Sequence, residues 1–497
     1  MRTTKDQRGP VSRGAIAFLA VLALGLGSTA CDFLNPTDVE NPRTTGEDLA
    51  QAEEPTAALI PGVAAQFARL LEATVVATEC ASDNYAIMGT GLDNSWDYPE
   101  DITPLVANST GRVTGAYWNA QELKALASFV IDDIIPDDAT ATPEDIAWTY
   151  YFRGMAYLHL GENFSYAPVV EDGEPVSASQ LLELAVSDLS QAAAGGGDVL
   201  LPAQAAMARA YRWLGQGPAA QAAANQVLSG DQEFLFYQDY DPTSIDNTPH
   251  LYLVTRALQE MQPLPRLDYL DPKYLSYDAG ILVAKAEEMH LILAEIALAG
   301  ADYSTAKDHL VDAILLAASR PTEVFVDGDA RNNVDLSIRP RDPEILVRAD
   351  ADSPYRAGLV QGRFDGSEGR ATTQYVVSGT SLDADSVALL PDSDPSAIWH
   401  AFYLARQEIL FLEGRRMADL GIRLPMMRRE VDQNPNIEFG DPGTESLVPS
   451  YIPPFNQMDL FTPASPYGEL DVLITTEVTI THDMNKILAQ NNVSPFM

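Results

Sequence analysis

The spacing of apolar residues divides the chain into a helical part and a loop-rich part. Apolar residues recur at helical intervals over Asp48 to Thr78 and over Tyr117 to Ile134, and the helical pattern continues to about residue 320. Beyond that point glycine, aspartate and proline are frequent, so residues 321–497 are predicted to be largely irregular. Two regular elements are predicted there: a strong helix over 396–420 and a strand over Leu473 to Ile480.

Three helices in the first part end in the same way, and each is followed by a second, alanine-rich helix. The shared endings are Ala156-Tyr157-Leu158-His159-Leu160-Gly161, Ala210-Tyr211-Arg212-Trp213-Leu214-Gly215 and Ala294-Glu295-Ile296-Ala297-Leu298-Ala299-Gly300. The second helices are predicted over Leu181 to Ala194, Ala219 to Leu228 and Tyr303 to Ala318. Small residues allow the paired helices to approach each other, and the glycine is expected to end the first helix of each pair.

This arrangement is typical of tetratricopeptide units, although the endings lie much further apart than the usual period of about 34 residues. The predicted fold is therefore mainly α: a tetratricopeptide-like helical-repeat superhelix over 49–320, with long irregular insertions and a loop-rich C-terminal part. Alanine-rich helical hairpins without true repeat geometry are the alternative. The longest insertion, 231–283, is rich in tyrosine and phenylalanine, and long tyrosine-rich loops are often binding surfaces.

The first thirty residues have the pattern of an export signal. Basic residues precede a charge-free run from Ala15 to Leu26, which is too short to span a bilayer. Ser28-Thr29-Ala30-Cys31 then resembles a lipoprotein cleavage site, with Ser28 where leucine is usual. Residues 1–30 are therefore predicted to be removed and Cys31 to carry a thioether-linked diacylglycerol and an amide-linked acyl chain. Residues 31–48 are predicted to be a polar tether. An ordinary signal peptide, with Cys31 an incidental thiol, is the alternative.

The charge of the chain bears on its partners. Acidic residues number 71 and basic residues 31, which gives a net charge of −40. Such a surface repels phosphate backbones and anionic lipids, so nucleic acid is not expected as a partner and membrane contact is expected only through the lipid anchor. No stretch after the signal is expected to span a membrane. Cys80, the other cysteine, is predicted to be a small, partly buried hydrophobic side chain.

Catalysis has little support in the sequence. The HExxH, GxSxG and phosphate-loop motifs are absent, and no cofactor or metal site is predicted. His159, His290 and His309 lie on repeat helices, where a structural role is expected. The acidic stretches Asp327 to Asp335 and Asp239 to Asp246 lack the full spacing of a calcium loop and are interpreted as solvated loops. A surface hydrolase is the enzymatic alternative, and detectable turnover of a glycan or peptide would support it.

Ligand contacts are predicted from flat aromatic rings with carboxylates and amides beside them, because sugar rings stack on such faces. The first candidates are Asp93, Asn94, Trp96 and Tyr98, on a loop that is predicted to be exposed. The second candidates are Tyr269, Tyr274 and Tyr277 of the long insertion. The alternative is that Trp96 anchors its own loop and that the tyrosines pack on the repeats. Trp118, Trp148 and Trp213 lie on amphipathic helices and are predicted to be core residues.

The segment Leu410-Phe411-Leu412-Glu413-Gly414-Arg415-Arg416-Met417-Ala418-Asp419-Leu420 resembles the signature helix of the SusD/RagB family of surface lipoproteins. Its charges are expected to pair on the helix surface, Glu413 with Arg416 and Arg415 with Asp419, and Gly414 is expected to permit a close neighbour. Other pieces resemble the same family in the same order: Cys31-Asp32-Phe33-Leu34, Phe152-Arg153-Gly154-Met155-Ala156-Tyr157, Asn163-Phe164, Ala167-Pro168-Val169 and Met207-Ala208-Arg209-Ala210-Tyr211.

The resemblance implies a function. Proteins of this family lie on the outer leaflet of the outer membrane and close over a TonB-dependent (SusC-like) transporter, to which they deliver an oligosaccharide or, in some members, a peptide. Arg406 and Glu408 lie slightly out of the usual register, and Tyr451-Ile452-Pro453-Pro454 is a weak match to the usual C-terminal motif, so the chain resembles a divergent member. The alternative hypothesis is a repeat-type scaffold lipoprotein for envelope protein assembly.

Overall fold

The computed structural model describes residues 53–87, 94–108, 115–254, 261–326, 345–361, 371–463 and 477–497. The predicted signal, Cys31 and the tether lie outside these residues, as do Asp93 and the acidic stretch from Asp327 to Asp335. Residues 54–497 form one compact unit. The domain boundaries drawn from the sequence stay a prediction.

Eight helices carry the first part of the described chain. They are α1 (Pro55–Cys80), α2 (Ala116–Phe129), α3 (Pro143–Asn163), α4 (Ala178–Gly195), α5 (Leu200–Trp213), α6 (Gly217–Gly230), α7 (Ala286–Ala299) and α8 (Tyr303–Ser319). Each helix packs on the next one along the chain. The three predicted helix pairs are α3–α4, α5–α6 and α7–α8, which confirms the mainly α, tetratricopeptide-like fold.

Local sequence signals fix where these helices begin. Thr142 accepts a hydrogen bond from the backbone N–H of Asp145, and the Asp145 carboxylate accepts one from the N–H of Thr142. Ser177 and Gln180 make the same reciprocal cap at the start of α4. Asp302 caps α8 by accepting from the N–H of Thr305 at 3.2 Å. Such caps satisfy backbone donors that have no partner inside the helix.

The three glycines of the shared endings have different roles. Gly215 has a φ of +66° and ends α5 as predicted. Gly161 instead lies inside α3, where a Cβ atom would be 2.7 Å from Cγ of Leu182, so its lack of a side chain lets α4 approach. At the third ending, Ala301 has the left-handed φ of +56° and Gly300 does not. Helix α7 still ends at Ala299 with Gly300 as its cap, so the prediction that a glycine ends each helix is wrong only for Gly161.

The long insertion packs inward rather than outward. Its strands β4 (Leu235–Gln238) and β6 (Ile281–Lys285) form an antiparallel pair that leads into α7. Phe236 stacks on Trp148 at 6.0 Å, and the Tyr240 hydroxyl donates to the carbonyl of Ala68 at 2.7 Å. The aromatic residues of this insertion therefore mostly build the core.

The remaining strands are short. They are β1 (Tyr85–Ile87), β2 (Tyr166–Pro168), β3 (Pro175–Ser177), β5 (Met261–Pro263), β7 (Glu323–Val326), β8 (Leu346–Arg348), β9 (Ala371–Gln374), β10 (Phe461–Pro463) and β11 (Glu477–Ile480). Antiparallel pairs form between β1 and β5, β2 and β3, and β7 and β9, while β11 lies between β10 and β8. The predicted strand Leu473 to Ile480 is present from Glu477 onward, and its first residues lie outside the described chain.

Five further helices follow in the described part of the chain: α9 (Ala384–Ala388), α10 (Pro395–Ile409), α11 (Arg416–Asp419), α12 (Arg428–Gln433) and α13 (Met484–Asn491). The single helix predicted over 396–420 is therefore wrong, because α10 ends at Ile409. Leu412 and Gly414 have φ angles of +59° and +74°, which an α-helix cannot contain. This backbone, rather than a close neighbour, is what requires glycine at 414.

The turn between α10 and α11 is held by buried donors. Lys273 donates to the carbonyl of Phe411 at 2.9 Å, and Lys285 to that of Ile409 at 2.6 Å. The Tyr274 hydroxyl donates to the carbonyl of Leu412 at 2.5 Å. These bonds satisfy carbonyls that the end of α10 leaves without helical partners.

The charges of residues 410–419 are buried, which corrects the expected surface pairs. Glu413 contacts Lys273 and Lys285, each at 2.5 Å. Arg416 contacts Asp83 at 2.5 Å. The other two pairs are Arg415 with Glu288 at 3.1 Å and Asp419 with Arg406 at 2.6 Å. We call these nine charged residues the charged centre; it joins the C-terminal part to the repeats.

Helix α1 is a core helix. It is long and apolar enough to cross a membrane, which differs from the expectation that no such stretch follows the signal. Phe67, Leu70 and Val76 on it are fully buried, and it packs against α2, α3 and α11. Its apolar composition is thereby explained by burial in the protein. Cys80, at its end, is buried more fully than predicted.

Candidate ligand-binding cleft

A cleft of about 720 Å³ opens between α2, α3, the β2–β3 connection and α12. Its volume lies in the range of about 300–1,000 Å³ that is usual for small-molecule sites. The lining residues that matter for its chemistry are Tyr117, Trp118, Gln121, Glu122, Lys124, Asp132, Arg153, Tyr157, Glu171, Asp172, Arg429, Glu430 and Gln433.

Trp118 supplies a flat exposed surface in this cleft. Its side chain is 39% exposed, and the Arg429 guanidinium lies 5.2 Å from its ring centroid. Trp118, Glu122 and Ala125 are the exposed positions of α2 and recur at helical spacing on one side. The opposite side, which includes Ala116, Ala120 and Leu123, is buried in the core. Helix α2 therefore presents its tryptophan to the cleft.

The floor of the cleft is a hydrogen-bonded group of buried polar side chains. Lys124 donates to the carbonyl of Pro168 at 3.0 Å and to the side chain of Gln121. Gln121 donates to the Tyr117 hydroxyl and to the same carbonyl, both at 3.2 Å. Burial lowers the pKa of Lys124 to about 8, against the opposing effect of the Glu430 carboxylate. The floor is thus rigid and carries a cation that is easily neutralised.

One wall is fixed by a bidentate ion pair. Arg153 of α3 donates to both oxygens of Asp188, at 2.7 and 2.9 Å, and lies 3.9 Å from Asp132. Because two parallel bonds hold the guanidinium, its orientation is defined. The pair connects α3 to α4 beside the cleft.

The other wall joins α12 to the β2–β3 connection. Asn434 donates to the carbonyl of Gly173 at 2.9 Å, and Asn436 donates to that of Asp172 at 2.6 Å. These bonds position Glu171 and Asp172, which are exposed, opposite the face that carries Trp118. The cleft therefore combines one exposed ring with carboxylates, amides and guanidinium groups at its edge. This combination suits a neutral, hydroxyl-rich ligand, whose rings stack and whose hydroxyls both donate and accept.

The predicted ligand residues lie elsewhere. Of those that the structure describes, none lines this cleft. Trp96 is 2% exposed, in a short turn (Asn94–Asp97) that is tied to β1 by the bond from the Ile87 N–H to Asp97. Tyr98 is half-buried. The ring of Trp96 is therefore not open for stacking in this conformation.

The tyrosines of the insertion are also separate from the cleft. Tyr269 and Tyr274 are 6% and 2% exposed, and Tyr274 supports the turn before α11. Tyr277 is 39% exposed and packs edge-on against His250 at 4.6 Å between ring centroids. Burial closes the ring faces of Tyr269 and Tyr274, which corrects the picture of exposed stacking residues. Tyr277 stays a predicted ligand residue.

Trp118 was assigned to the core by the sequence, and that assignment is wrong. Helical spacing places Trp118 on the side of α2 opposite Ala116, Ala120 and Leu123, and this spacing indicates an exposed ring. Trp148 and Trp213 are packed in the core as predicted. The Trp213 indole donates to Glu162 at 3.0 Å, and the guanidinium groups of Arg212 and Arg423 lie 4.4 and 4.7 Å from its ring.

No protein-family model and no curated protein matches this chain. Among solved structures, the fold is similar to a SusD superfamily protein from Bacteroides fragilis NCTC 9343, with a TM-score of 0.50 and 11% identity over 79% of this chain and 93% of that one. A second SusD superfamily protein from Bacteroides fragilis gives a TM-score of 0.48 and 14% identity over 78% and 100% of the two chains.

A SusD-like carbohydrate binding protein from Bacteroides vulgatus ATCC 8482 gives a TM-score of 0.47 and 12% identity, over 73% of this chain and 82% of that one. The match with the protein from Bacteroides fragilis NCTC 9343 shows a shared fold, at an identity of 11% that agrees with the divergence expected from the sequence.

Proposed function

We propose that this protein binds a nutrient ligand in the Trp118 cleft without transforming it. An oligosaccharide is the first ligand class and a peptide the second. The observation that carries the proposal is the exposed Trp118 ring inside a cleft whose edge bears carboxylates, amides and guanidinium groups. The exposed indole offers an apolar face on which a sugar ring can stack, while the sugar hydroxyls meet the polar edge of the cleft.

The proposal extends to the cell surface. Acylation of Cys31 would hold the protein on the outer membrane, and the tether 31–48 would let the body approach a TonB-dependent transporter. The resemblance of residues 410–420 to the SusD/RagB signature supports this extension, as does the SusD-like fold.

Binding is tested by calorimetric titration of the body with glucan, xylan and mannan oligosaccharides and with short peptides. We expect one class to bind, and Trp118→Ala to weaken that binding about three- to tenfold, because a stacked ring contributes about 0.5–1.5 kcal/mol beyond the area that it buries. Trp118 is exposed, so the substitution should leave the melting temperature nearly unchanged.

Phe439 provides a matched control outside the cleft. It is 57% exposed, and the Arg428 guanidinium lies 4.8 Å from its ring, much as Arg429 lies against Trp118. Phe439→Ala should bind the ligand like the unmodified protein. Equal affinities for the Trp118→Ala and unmodified proteins would show that the ligand binds elsewhere.

The transporter step is tested separately, by pull-down of the acylated protein from native outer membranes. Recovery of a stoichiometric TonB-dependent barrel supports delivery. Recovery of assembly factors alone would favour the scaffold hypothesis, whatever the cleft binds.

A further inference from the structure

Two histidines and an aspartate converge on the α7–α8 hairpin, away from the residues that line the cleft. His290 lies on α7, and His309 and Asp312 lie three residues apart on the same side of α8. The two histidines are nearly equidistant from the turn at Gly300-Ala301, so antiparallel packing of the helices brings them level. The hairpin therefore presents three metal-ligand side chains at one place.

The distances among these groups are those of a metal site. Nδ1 of His290 lies 3.4 Å from Nδ1 of His309 and 3.7 Å from Oδ2 of Asp312. A ligand atom from each of the three residues lies within 4.8 Å of the others. A tetrahedral zinc ion with bonds of about 2.0–2.1 Å separates its ligand nitrogens by about 3.4 Å. The two imidazoles are thus already at the required separation, and the carboxylate needs only a small side-chain rotation.

The supporting structure is rigid and the site is accessible. Ala301 and the Asp302 cap fix the turn, and Ala306, Leu310 and Ala313 of α8 are fully buried against neighbouring helices. The His290 side chain is 16% exposed, whereas that of Asp312 is 55% exposed, so the cluster opens to water on the aspartate side. An ion can enter there and keep a water molecule as a fourth ligand.

The surroundings favour a cation. The carboxylates of Glu287 and Asp312 act on His290, and those of Asp308 and Asp312 act on His309. Both imidazoles are half-buried between the two helices of the hairpin, and a ring nitrogen of each faces the other residues of the cluster. Without a metal, the two imidazoles are within hydrogen-bond distance and Asp312 faces His290 as an ion-pair partner, so the zinc titration below distinguishes the two arrangements.

We propose that His290, His309 and Asp312 bind one divalent transition-metal ion of the zinc class, with water as the fourth ligand. Two imidazoles and one carboxylate suit zinc, nickel or copper better than magnesium or calcium, which prefer oxygen ligands. The site would join the two helices of the third repeat. It departs from the sequence-based expectation of no metal, because the histidines are 19 residues apart along the chain and meet only in the hairpin.

The test uses the tag-free body, Glu54 to Met497, which forms one unit. Zinc chloride is titrated calorimetrically in excess magnesium, which occupies surface carboxylates of this acidic chain. We expect one zinc ion per chain, and at least a tenfold loss of affinity for His309→Gln. Asp312→Asn should lose less, because its exposed carboxylate is replaceable by water. His482→Gln, which removes a histidine outside the cluster, should bind zinc normally.

Cobalt provides a measurement that does not depend on a folded variant. The unmodified body loaded with one equivalent of Co²⁺ should show the intense visible absorption of a tetrahedral site. Circular dichroism establishes whether each variant is folded. The proposal is overturned if the unmodified body binds no zinc in excess magnesium, if folded His309→Gln binds it equally well, or if the cobalt spectrum is that of a hexahydrated ion.

Discussion

The charged centre and the Trp118 cleft are both rich in ionisable groups, yet they differ in how far those groups are buried and paired with opposite charges. In the centre, Glu413, Arg415 and Arg416 are at most 5% exposed and each has a charged partner within 3.1 Å. In the cleft, Glu122, Glu171 and Arg429 are exposed. A group that is already bonded and buried cannot recognise a ligand, whereas the polar groups at the edge of the cleft still can.

The comparison of the charged centre with the cleft shows which property the family resemblance can predict. The residues that resemble the SusD/RagB signature lie in the charged centre, where they connect α11 to α1, α5 and α7. Such a segment reports the fold. The cleft residues Trp118, Arg429 and Gln433 belong to no signature segment, so a resemblance based on residues 410–420 does not transfer a ligand class.

Breaking the centre should have the largest effect on stability. Asp83 accepts from Arg416 at 2.5 and 2.8 Å and from Arg266 at 2.9 Å. Asp83→Asn would leave two buried guanidinium groups without a full counter-charge, so we expect a loss of about 3–5 kcal/mol in the free energy of unfolding, measured by urea denaturation.

The exposed pair Arg428–Asp432 is the matched control for that substitution. Its atoms lie 2.7 Å apart, but both side chains are more than 40% exposed. Asp432→Asn should cost less than about 1 kcal/mol. Similar losses for the two variants would mean that burial does not distinguish the centre.

The next largest effect should be a pH dependence of the free energy of unfolding, caused by buried carboxyls with shifted pKa values. The Arg415 guanidinium, with others near it, outweighs burial and lowers the pKa of Glu288 to about 2, whereas burial raises the pKa of Asp97 and of Glu79 to about 7. Groups with a raised pKa are stabilising when protonated, so stability should increase as the pH falls from 8 to about 5. Groups with a lowered pKa are stabilising when charged, so stability should fall again below about pH 4.

Asp97→Asn tests this assignment, because asparagine stays neutral and removes one of the carboxyls whose pKa is raised. It also removes the Asp97 charge that, after burial, raises the pKa of the Asp459 carboxyl. The variant should be more stable than the unmodified protein at pH 8 and should gain less on acidification to pH 5. Asp101→Asn, an exposed carboxylate in the adjoining turn, should follow the unmodified protein. A stability that is flat between pH 8 and pH 5 would contradict the expectation.

The smallest effect is expected from the helix packing that supports the centre. Gly161→Ala would place a Cβ atom 2.7 Å from Cγ of Leu182 and 3.0 Å from the carbonyl of Ala178, at an expected cost of about 1–3 kcal/mol. Gly62→Ala, in α1, meets nothing within 4 Å and should gain up to about 1 kcal/mol. Thermal melts of the two variants should therefore shift in opposite directions.

The helix pairs were predictable from the sequence because their signals are local. The capping pairs Thr142–Asp145 and Ser177–Gln180 and the alanine-rich faces lie within a few residues of each other. The second helices accordingly extend only a few residues beyond their predicted limits. The same local pattern was misleading at 410–415. The composition there favours a helix, but Lys273, Lys285 and Tyr274, which are far away in the chain, donate to the backbone carbonyls and stabilise a turn instead.

The candidate ligand residues of the cleft were not predictable in the same way. A tyrosine on a long segment such as 231–283 has no local signal of whether it faces water or core, and Tyr240 and Tyr274 face the core because α1 and the 410–415 turn supply acceptors. Trp118 carries a signal, since it is out of step with the buried face of α2. Its partners Arg429 and Gln433 are about 310 residues further on, and their proximity depends on the complete fold.

The separation of Asp83 and Arg416 also sets the order in which the protein can fold. These residues are 333 positions apart, whereas the hairpins close over a few tens of residues. Contacts over long stretches of chain form slowly. We therefore expect an intermediate in which the helix pairs are formed but α10 and α11 have not yet packed against α1. Such a species exposes apolar surface and is prone to aggregate. The packing of α10 and α11 on α1 is therefore the step that limits the yield of folded protein.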